Sequence, residues 1–115
     1  MKNIGVKKYR EERIYICTAA PFSLGKLLYT SGIQYLLEKN IGVNLSIYLQ
    51  RHRNGDWGDV CIEDKIVNDE ATKTSGRVIS NYTICDQLVW IVTECDRSVT
   101  TILLPNEYLY LNGMV

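Results

Sequence analysis

The chain has 115 residues, 46% of them hydrophobic and 23% charged. That composition predicts one soluble globular domain over residues 1–115 and excludes a disordered chain or a multi-domain enzyme. Thirteen basic side chains balance thirteen acidic ones, so no net charge draws the whole protein to nucleic acid or anionic lipid. We find no apolar signal-peptide core and no apolar run long enough to cross a bilayer, and we therefore expect a cytoplasmic protein with no membrane partner.

The four cysteines, Cys17, Cys61, Cys85 and Cys95, are widely spaced and accompany a single histidine. Structural zinc sites use closely spaced cysteine and histidine pairs, so this spacing argues against one. Two of the cysteines stand in apolar, strand-like surroundings and are expected to be small core residues with free thiols. No cofactor is predicted.

The N-terminal region begins with residues 1–12, whose mixed charges are typical of a flexible arm or of the rim of a strand. Residues 14–18 are β-branched and aromatic and end shortly before Pro21, which predicts the first strand. Residues 22–29 have no clear period and are predicted to form a connection.

Two short helices follow. Thr30 or Ser31 is the expected N-cap of a helix over residues 33–39. Asn44 is the expected N-cap of a second, whose apolar stripe is Leu45, Tyr48 and Leu49. This helix should place His52 at its C-terminal end.

A third helix is predicted from Ile62 to near Ser75, with acidic residues early and Lys73 late, as the helix dipole prefers. Its buried stripe is expected to contain Ile62, Ile66 and Val67, joined by Ala71.

The hydrophobic period changes to two after Arg77. Residues 77–84, 88–93 and 99–104 are therefore predicted strands, and the short connections between them predict a three-stranded antiparallel meander with Trp90 near its middle. The predicted fold class is α+β: an antiparallel sheet made of this C-terminal meander plus an N-terminal strand, with two or three short helices on one face.

Residues 51–59 are unusual, because they contain the only histidine, one of two tryptophans, two glycines and two carboxylates. Gly55 and Gly58 permit a tight turn around Asp56 and Trp57. Under one interpretation Trp57 fills the core while Asp56 and Asp59 cap the turn and the next helix; under the other the loop contacts a ligand. We expect Trp57 to be at least half buried.

The hairpin tip at residues 94–98 is also rich in charge, and a function shared with residues 51–59 would require the two segments to meet. Arg97 is expected within hydrogen-bonding reach of Asp56 or Asp59, since a guanidinium can pin an acidic turn against a sheet edge. The candidate partner-binding or structural site then consists of Arg51, His52, Arg53, Asp56, Trp57, Asp59, Glu94, Asp96 and Arg97.

Two other uses of these segments stay open. Asp56, Asp59 and Glu63, with Asp64 and Lys65 nearby, resemble the carboxylates and lysine of a magnesium-dependent nuclease or hydrolase. His52 with Asp56 or Cys61 could form a nucleophilic pair, but no third, orienting residue accompanies it. A nucleic-acid-binding regulator would instead use Arg51, Arg53, Arg77 and Arg97.

A recognisable set of residues lies between positions 30 and 108: Arg51-His52, residues 55–59, Glu63-Asp64-Lys65, Asn68, Ala71, residues 90–94, 96–98 and 100–105, and Glu107-Tyr108. In these residues the chain resembles a family of small bacterial proteins carried on plasmids, phages and other mobile elements. Many of them are labelled as a type I restriction M subunit, but this chain has neither the length for a doubly wound cofactor-binding sheet nor a methyltransferase's Asn-Pro-Pro-aromatic motif.

The resemblance implies a mobile-element protein, and the residues contain no complete catalytic set. We therefore expect a non-enzymatic binding protein, of an anti-defence or regulatory kind such as an anti-CRISPR or antirestriction factor, that docks on a host protein complex. Its eight tyrosines, two tryptophans and the Arg51/Arg53 pair are residue types that dominate interface hot spots.

Overall fold

The fold is α+β, as predicted. The computed structural model describes residues 14–111, with side chains as far as residue 109; the arm predicted at residues 1–12 lies outside them. Within that part of the chain, three helices of nine or more residues accompany a four-stranded sheet. None of the helices there has the length and apolar character that a bilayer crossing requires.

The sheet contains β1 (Lys26–Tyr29), β2 (Val78–Ile84), β3 (Gln87–Thr93) and β4 (Val99–Leu103), in the order β1-β4-β3-β2. Antiparallel pairing of β2 with β3 and of β3 with β4 confirms the predicted meander. Trp90 lies at the middle of β3, opposite Asn81 on one side and Leu103 on the other. At the far edge, β1 pairs with β4 in parallel.

The strand predicted at residues 14–18 is wrong, because this segment has no regular secondary structure and the N-terminal strand is β1. Residues 14–20 find partners on a helix rather than a sheet: Thr18 N donates to the carboxylate of Asp69 at 3.0 Å, and Ala20 N donates to Thr72 Oγ1 at 2.8 Å. The chain then turns at Gly25, whose φ is +66°. A Cβ at that position would collide with the backbone carbonyls of Arg97 and Ser98, so glycine is needed to bring β1 beside β4.

Helices α1 (Ser31–Lys39) and α2 (Leu45–Arg53) begin where the capping residues predicted. The side chain of Thr30 accepts from Ile33 N, and that of Asn44 accepts from Ser46 N. These contacts satisfy N–H groups that the first helical turn leaves without intrahelical partners.

The larger core cluster joins these two helices to one face of the sheet. Ile33 and Leu36 of α1 are buried against alternate residues of the strands, and the apolar stripe of α2 packs beside them. The sheet contributes Tyr82, Ile84, Val89, Ile91 and Ile102. Because strand side chains alternate between faces, these residues share one face of the sheet. The opposite, outer face also buries Val92, Thr101 and Leu103.

The buried side of helix α3 (Ile62–Lys73) includes Ala71, as predicted, but not Ile66 or Val67. Ile66 and Val67 are 48% and 63% exposed, whereas Asn68, Asp69, Ala71 and Thr72 are buried. The cause is the polar surroundings: the Asn68 amide donates to Ile79 O at 2.8 Å and accepts from Ile79 N at 3.1 Å, which occupies the free edge of β2. A helix that covers backbone needs a polar stripe, because a buried N–H or C=O without a partner is costly.

After β4, Pro105 opens a 3-10 turn (Pro105–Glu107) that leads into the one-turn helix α4 (Tyr108–Leu111). The carboxylate of Glu107 accepts from Thr30 Oγ1 at 2.6 Å, from Gly32 N at 3.1 Å and from Leu104 N at 2.8 Å. It thereby fastens the turn to the N-terminus of α1, where a negative charge is favourable. The tail docks on the sheet at Tyr108, whose ring meets Trp90 edge-on at 5.3 Å between centroids.

Candidate functional site

Trp57 is a core residue. Its side chain is 1% exposed, which confirms the predicted burial, and its ring lies near those of Phe22 and His52. Its indole Nε1 donates to Asp69 Oδ1 at 2.8 Å. Gly58 has φ +79°, and a Cβ there would collide with the carbonyl of Asn81. The turn therefore folds inward against β2.

Asp56 caps this turn, as one of the two interpretations predicted, by accepting from Gly58 N at 3.2 Å. Arg51 Nε lies 2.7 Å from its carboxylate, and this hydrogen bond is the main reason that the pKa of Asp56 is lowered. The guanidinium also lies 4.7 Å from the centre of the Tyr82 ring. Asp59 does not cap the next helix, because the N-cap of α3 is Cys61, without a side-chain cap bond.

Asp69, which sequence reasoning missed, is the polar centre of the smaller core region. Its carboxylate accepts from Tyr15 Oη at 2.7 and 2.9 Å, from Thr18 N at 3.0 Å and from Trp57 Nε1 at 2.8 Å. Burial by itself would raise the pKa of Asp69, but the donors stabilise the anion and the net pKa shift is downward. Asp69 thus ties residues 15–18 and the Trp57 turn to α3. A signal was present in Asn68-Asp69, a polar pair where an apolar stripe should continue.

His52 is fully buried and belongs to a chain of hydroxyl groups. Its Nδ1 lies 2.6 Å from Ser80 Oγ and its Nε2 lies 2.9 Å from Thr93 Oγ1. Thr93 Oγ1 lies 2.7 Å from Thr100 Oγ1, which donates to Leu24 O at 2.6 Å.

The direction of each hydrogen bond in this series of groups follows from the last bond, between Thr100 and Leu24. Thr100 has one hydroxyl proton and gives it to Leu24, so Thr93 must donate to Thr100 and accept from His52 Nε2–H. The other ring nitrogen, Nδ1, then accepts from Ser80. Burial lowers the pKa of His52 to about 3, so the ring is neutral near pH 7.

The nucleophilic pairs considered for His52 are not formed. Both ring nitrogens are occupied by Ser80 and Thr93 rather than by Asp56 or Cys61. Ser80 itself is fully buried, so no substrate could reach its hydroxyl.

The prediction that Arg97 bonds to Asp56 or Asp59 is wrong. Its guanidinium donates to four backbone carbonyls, three of which belong to the end of α3 or the loop after it. Three charge-assisted hydrogen bonds to backbone carbonyls at the C-terminus of α3 and just beyond it satisfy this cation more fully than one distant carboxylate. The ring of Phe22 lies near both segments, with its centre 6.2 Å from that of the Trp57 ring and 5.7 Å from the guanidinium of Arg97.

The remaining residues of the hairpin are also occupied within the fold. Glu94 forms an ion pair with Arg77 at 3.0 Å, and Asp96 accepts from Ser98 N at 3.0 Å to close the turn. Arg77 also donates to Tyr108 Oη at 2.7 Å. Of the four arginines considered for nucleic acid, only Arg53 is exposed without a salt bridge within the part of the chain that the structure describes.

The suggested magnesium set of Asp56, Asp59 and Glu63 is not assembled. Across residues 14–109, no three His, Cys, Asp or Glu side chains are grouped to hold a metal ion. The expectation of core cysteines is also wrong, because all four are exposed free thiols. They stand in turns, at a helix start or on the segment over α3, outside the faces that the sheet buries.

Comparison with protein-family models, curated proteins and solved structures finds no match for this chain.

Proposed function

We propose that this protein is a non-enzymatic binding protein that docks on a host protein complex. The observation that supports it best is the edge strand β1, whose four residues are all exposed. The resemblance of residues 30–108 to plasmid and phage proteins supports the finer proposal of an anti-defence or regulatory factor, of the anti-CRISPR or antirestriction type. His52 and Asp56, two of the side chains considered for catalysis, are bonded within the fold, so an enzyme has less support.

The backbone of β1 offers groups for pairing. Lys26 N donates to Ser98 O at 3.0 Å and Thr30 N donates to Ile102 O at 3.1 Å, so these residues face β4. Since alternate residues of a strand point in opposite directions, the N–H and C=O groups of Leu27 and Tyr29 face away from the sheet.

The side chains of β1 expose apolar surface at this edge. Leu27, Leu28 and Tyr29 are 51%, 45% and 53% exposed. Proteins usually protect a sheet edge with proline, charge or a covering element, and Lys26 is the only charge on this strand. A partner strand could add to β1 through the backbone and bury these side chains, as in β-augmentation.

A pull-down from a lysate of the bacterial host tests this proposal. The tagged wild-type protein should retain one defined complex in stoichiometric amount. Leu27→Pro should lose it, because proline removes an outward N–H while leaving the pairing with β4 intact. The matched control Ile41→Lys changes a residue that is 98% exposed in the turn after α1, and it should retain the complex.

Circular dichroism and thermal unfolding should show that Leu27→Pro folds like the wild type. Equal retention of the complex by Leu27→Pro would contradict docking through β1. Magnesium-dependent hydrolysis of nucleic acid that is abolished by Asp56→Ala would favour the enzyme instead.

A further inference from the structure

We propose that a groove between α3 and the outer face of the sheet binds the guanidinium or ammonium group of an arginine or lysine side chain on a partner protein. This outer groove lies beside β2, at the opposite edge of the sheet from β1, and does not depend on docking there. It encloses about 550 Å³. Its lining includes Asp59, Asp64, Val67, Ile79, Asn81 and Trp90.

Asn81, which lines the groove, has an acceptor atom without a partner. The Oδ1 atom of Asn81 is buried and has no hydrogen-bond partner, although the opposite side of the same amide donates from Nδ2 to Asp59 O at 3.3 Å. That bond fixes the orientation of the amide, because turning it over would place Oδ1 against a carbonyl. A buried acceptor without a donor is costly, so a small movement of the Asn81 side chain that brings Oδ1 to an incoming N–H group would be favourable.

The charge of the groove favours a cation. Among the described residues, neither the carboxylate of Asp59 nor that of Asp64 has a hydrogen bond or an ion pair. Arg77 also lines the groove, but Glu94 neutralises it at 3.0 Å and Tyr108 Oη accepts from it. Lys65 lies over the ring of Tyr15, at 5.3 Å from its centre. The surplus charge is therefore negative, and an anion would be repelled.

The apolar walls fit the stem of a long basic side chain. Val67 is 63% exposed, although it stands on the side of α3 that the sequence predicted to be buried. Trp90 is held by the edge-on contact with Tyr108, so its ring is positioned before any ligand arrives. Arginine and lysine place their methylene stems on apolar surface and their charged ends on acceptors or aromatic faces.

Titration of the ¹⁵N-labelled protein with Nα-acetyl-arginine amide tests this site, with Nα-acetyl-citrulline amide as the uncharged ligand of the same shape. The arginine compound should shift the indole N–H resonance of Trp90 and the side-chain amide resonances of Asn81 until they saturate. Citrulline should bind about tenfold more weakly, since it lacks the charge that two carboxylates attract. Added salt should weaken the arginine complex and leave the citrulline complex unchanged.

Variants separate this site from a general attraction to acidic surface. Asp59→Asn and Asp64→Asn should each weaken arginine binding about threefold. Asp86→Asn, in the exposed turn between β2 and β3, should leave it unchanged. Equal binding of citrulline, an equal loss in Asp86→Asn, or no saturable shift at Trp90 would each overturn the proposal. Because none of these measurements uses β1 or a host lysate, their outcome is independent of the pull-down.

Discussion

At the scale of single residues, the only histidine shows how a polar side chain is used inside this fold. His52 is fully buried, yet each ring nitrogen has a hydroxyl partner within 2.9 Å. The network begins at Ser80 on β2 and ends at Leu24, before β1. The network therefore links α2 to three strands and to the segment before β1, which makes its role structural.

We predict that the free energy of unfolding falls by about 2 kcal/mol between pH 7 and pH 5 because of His52. The pKa of the ring is about 3 in the fold and about 6.5 in the unfolded chain. The lower folded pKa means that this stability is full above pH 6.5 and is lost as the pH falls towards 3. Urea unfolding at the two pH values measures the difference.

His52→Gln removes the titrating group and should abolish most of that pH dependence, whatever its effect on stability itself. Asp56 and Asp69 have lowered pKa values in the fold, so their protonation reduces stability only below about pH 4, outside this window. An unchanged pH dependence in His52→Gln would show that another group is responsible.

Thr100 and Thr101 are neighbouring buried threonines with opposite predicted effects. The Thr101 hydroxyl is buried without a partner, whereas the Thr100 hydroxyl has two. Thr101→Val should raise the free energy of unfolding by about 1 kcal/mol, and Thr100→Val should lower it by about 1 to 3 kcal/mol. Denaturant unfolding of the pair measures both changes, and a loss of stability in Thr101→Val would contradict the prediction.

At the scale of elements, α3 is held in place by contacts with residues distant in sequence. It has no side-chain N-cap, its buried side is polar, and its C-terminal carbonyls are held by Arg97. Residues 15–20 lie along it through Asp69 and Thr72. This helix therefore connects residues 15–20 to the free edge of β2.

Arg97→Ala should lower the free energy of unfolding by about 2 to 3 kcal/mol, because it leaves the carbonyls of Ala71, Thr74 and Gly76 without their charged donor. Hydrogen exchange should accelerate most in the last turn of α3. Arg53→Ala, at an exposed position, should change stability by less than about 0.5 kcal/mol. Similar effects in the two variants would show that Arg97 does not cap α3.

At the scale of the whole molecule, two hydrophobic clusters share one sheet. The larger contains Ile33, and the smaller contains Trp57, Ala71 and Val78. The His52 network and β2 lie between them, since β2 contributes Tyr82 to one cluster and Val78 to the other. Such continuity predicts that both clusters unfold together.

Ile33→Ala should lower the free energy of unfolding by about 2 to 5 kcal/mol through a cavity in the larger cluster. In a Trp90→Phe background, the fluorescence of Trp57 reports on the smaller cluster. Its unfolding midpoint should shift by the same amount as the midpoint from circular dichroism. Two separate midpoints would show that the clusters are independent units.

The sequence by itself determined the parts of this protein that depend on neighbours along the chain. Thr30 and Asn44 set the starts of α1 and α2 through bonds to residues two or three positions away. The period of two after Arg77 and the short connections gave the meander, because antiparallel neighbours need little chain between them. The two glycines around Trp57 predicted its inward turn, which also depends only on residues that are close in sequence.

Only the tertiary structure decided which polar groups meet across the chain. Thr18 reaches Asp69 over 51 positions, and Thr30 reaches Glu107 over 77. Arg97 could have paired with any nearby acceptor, and the open end of α3 offered several carbonyls where the sequence suggested a single carboxylate. Periodicity records which side of an element is apolar, but the partner of a buried donor is selected by geometry that exists only once the elements have packed.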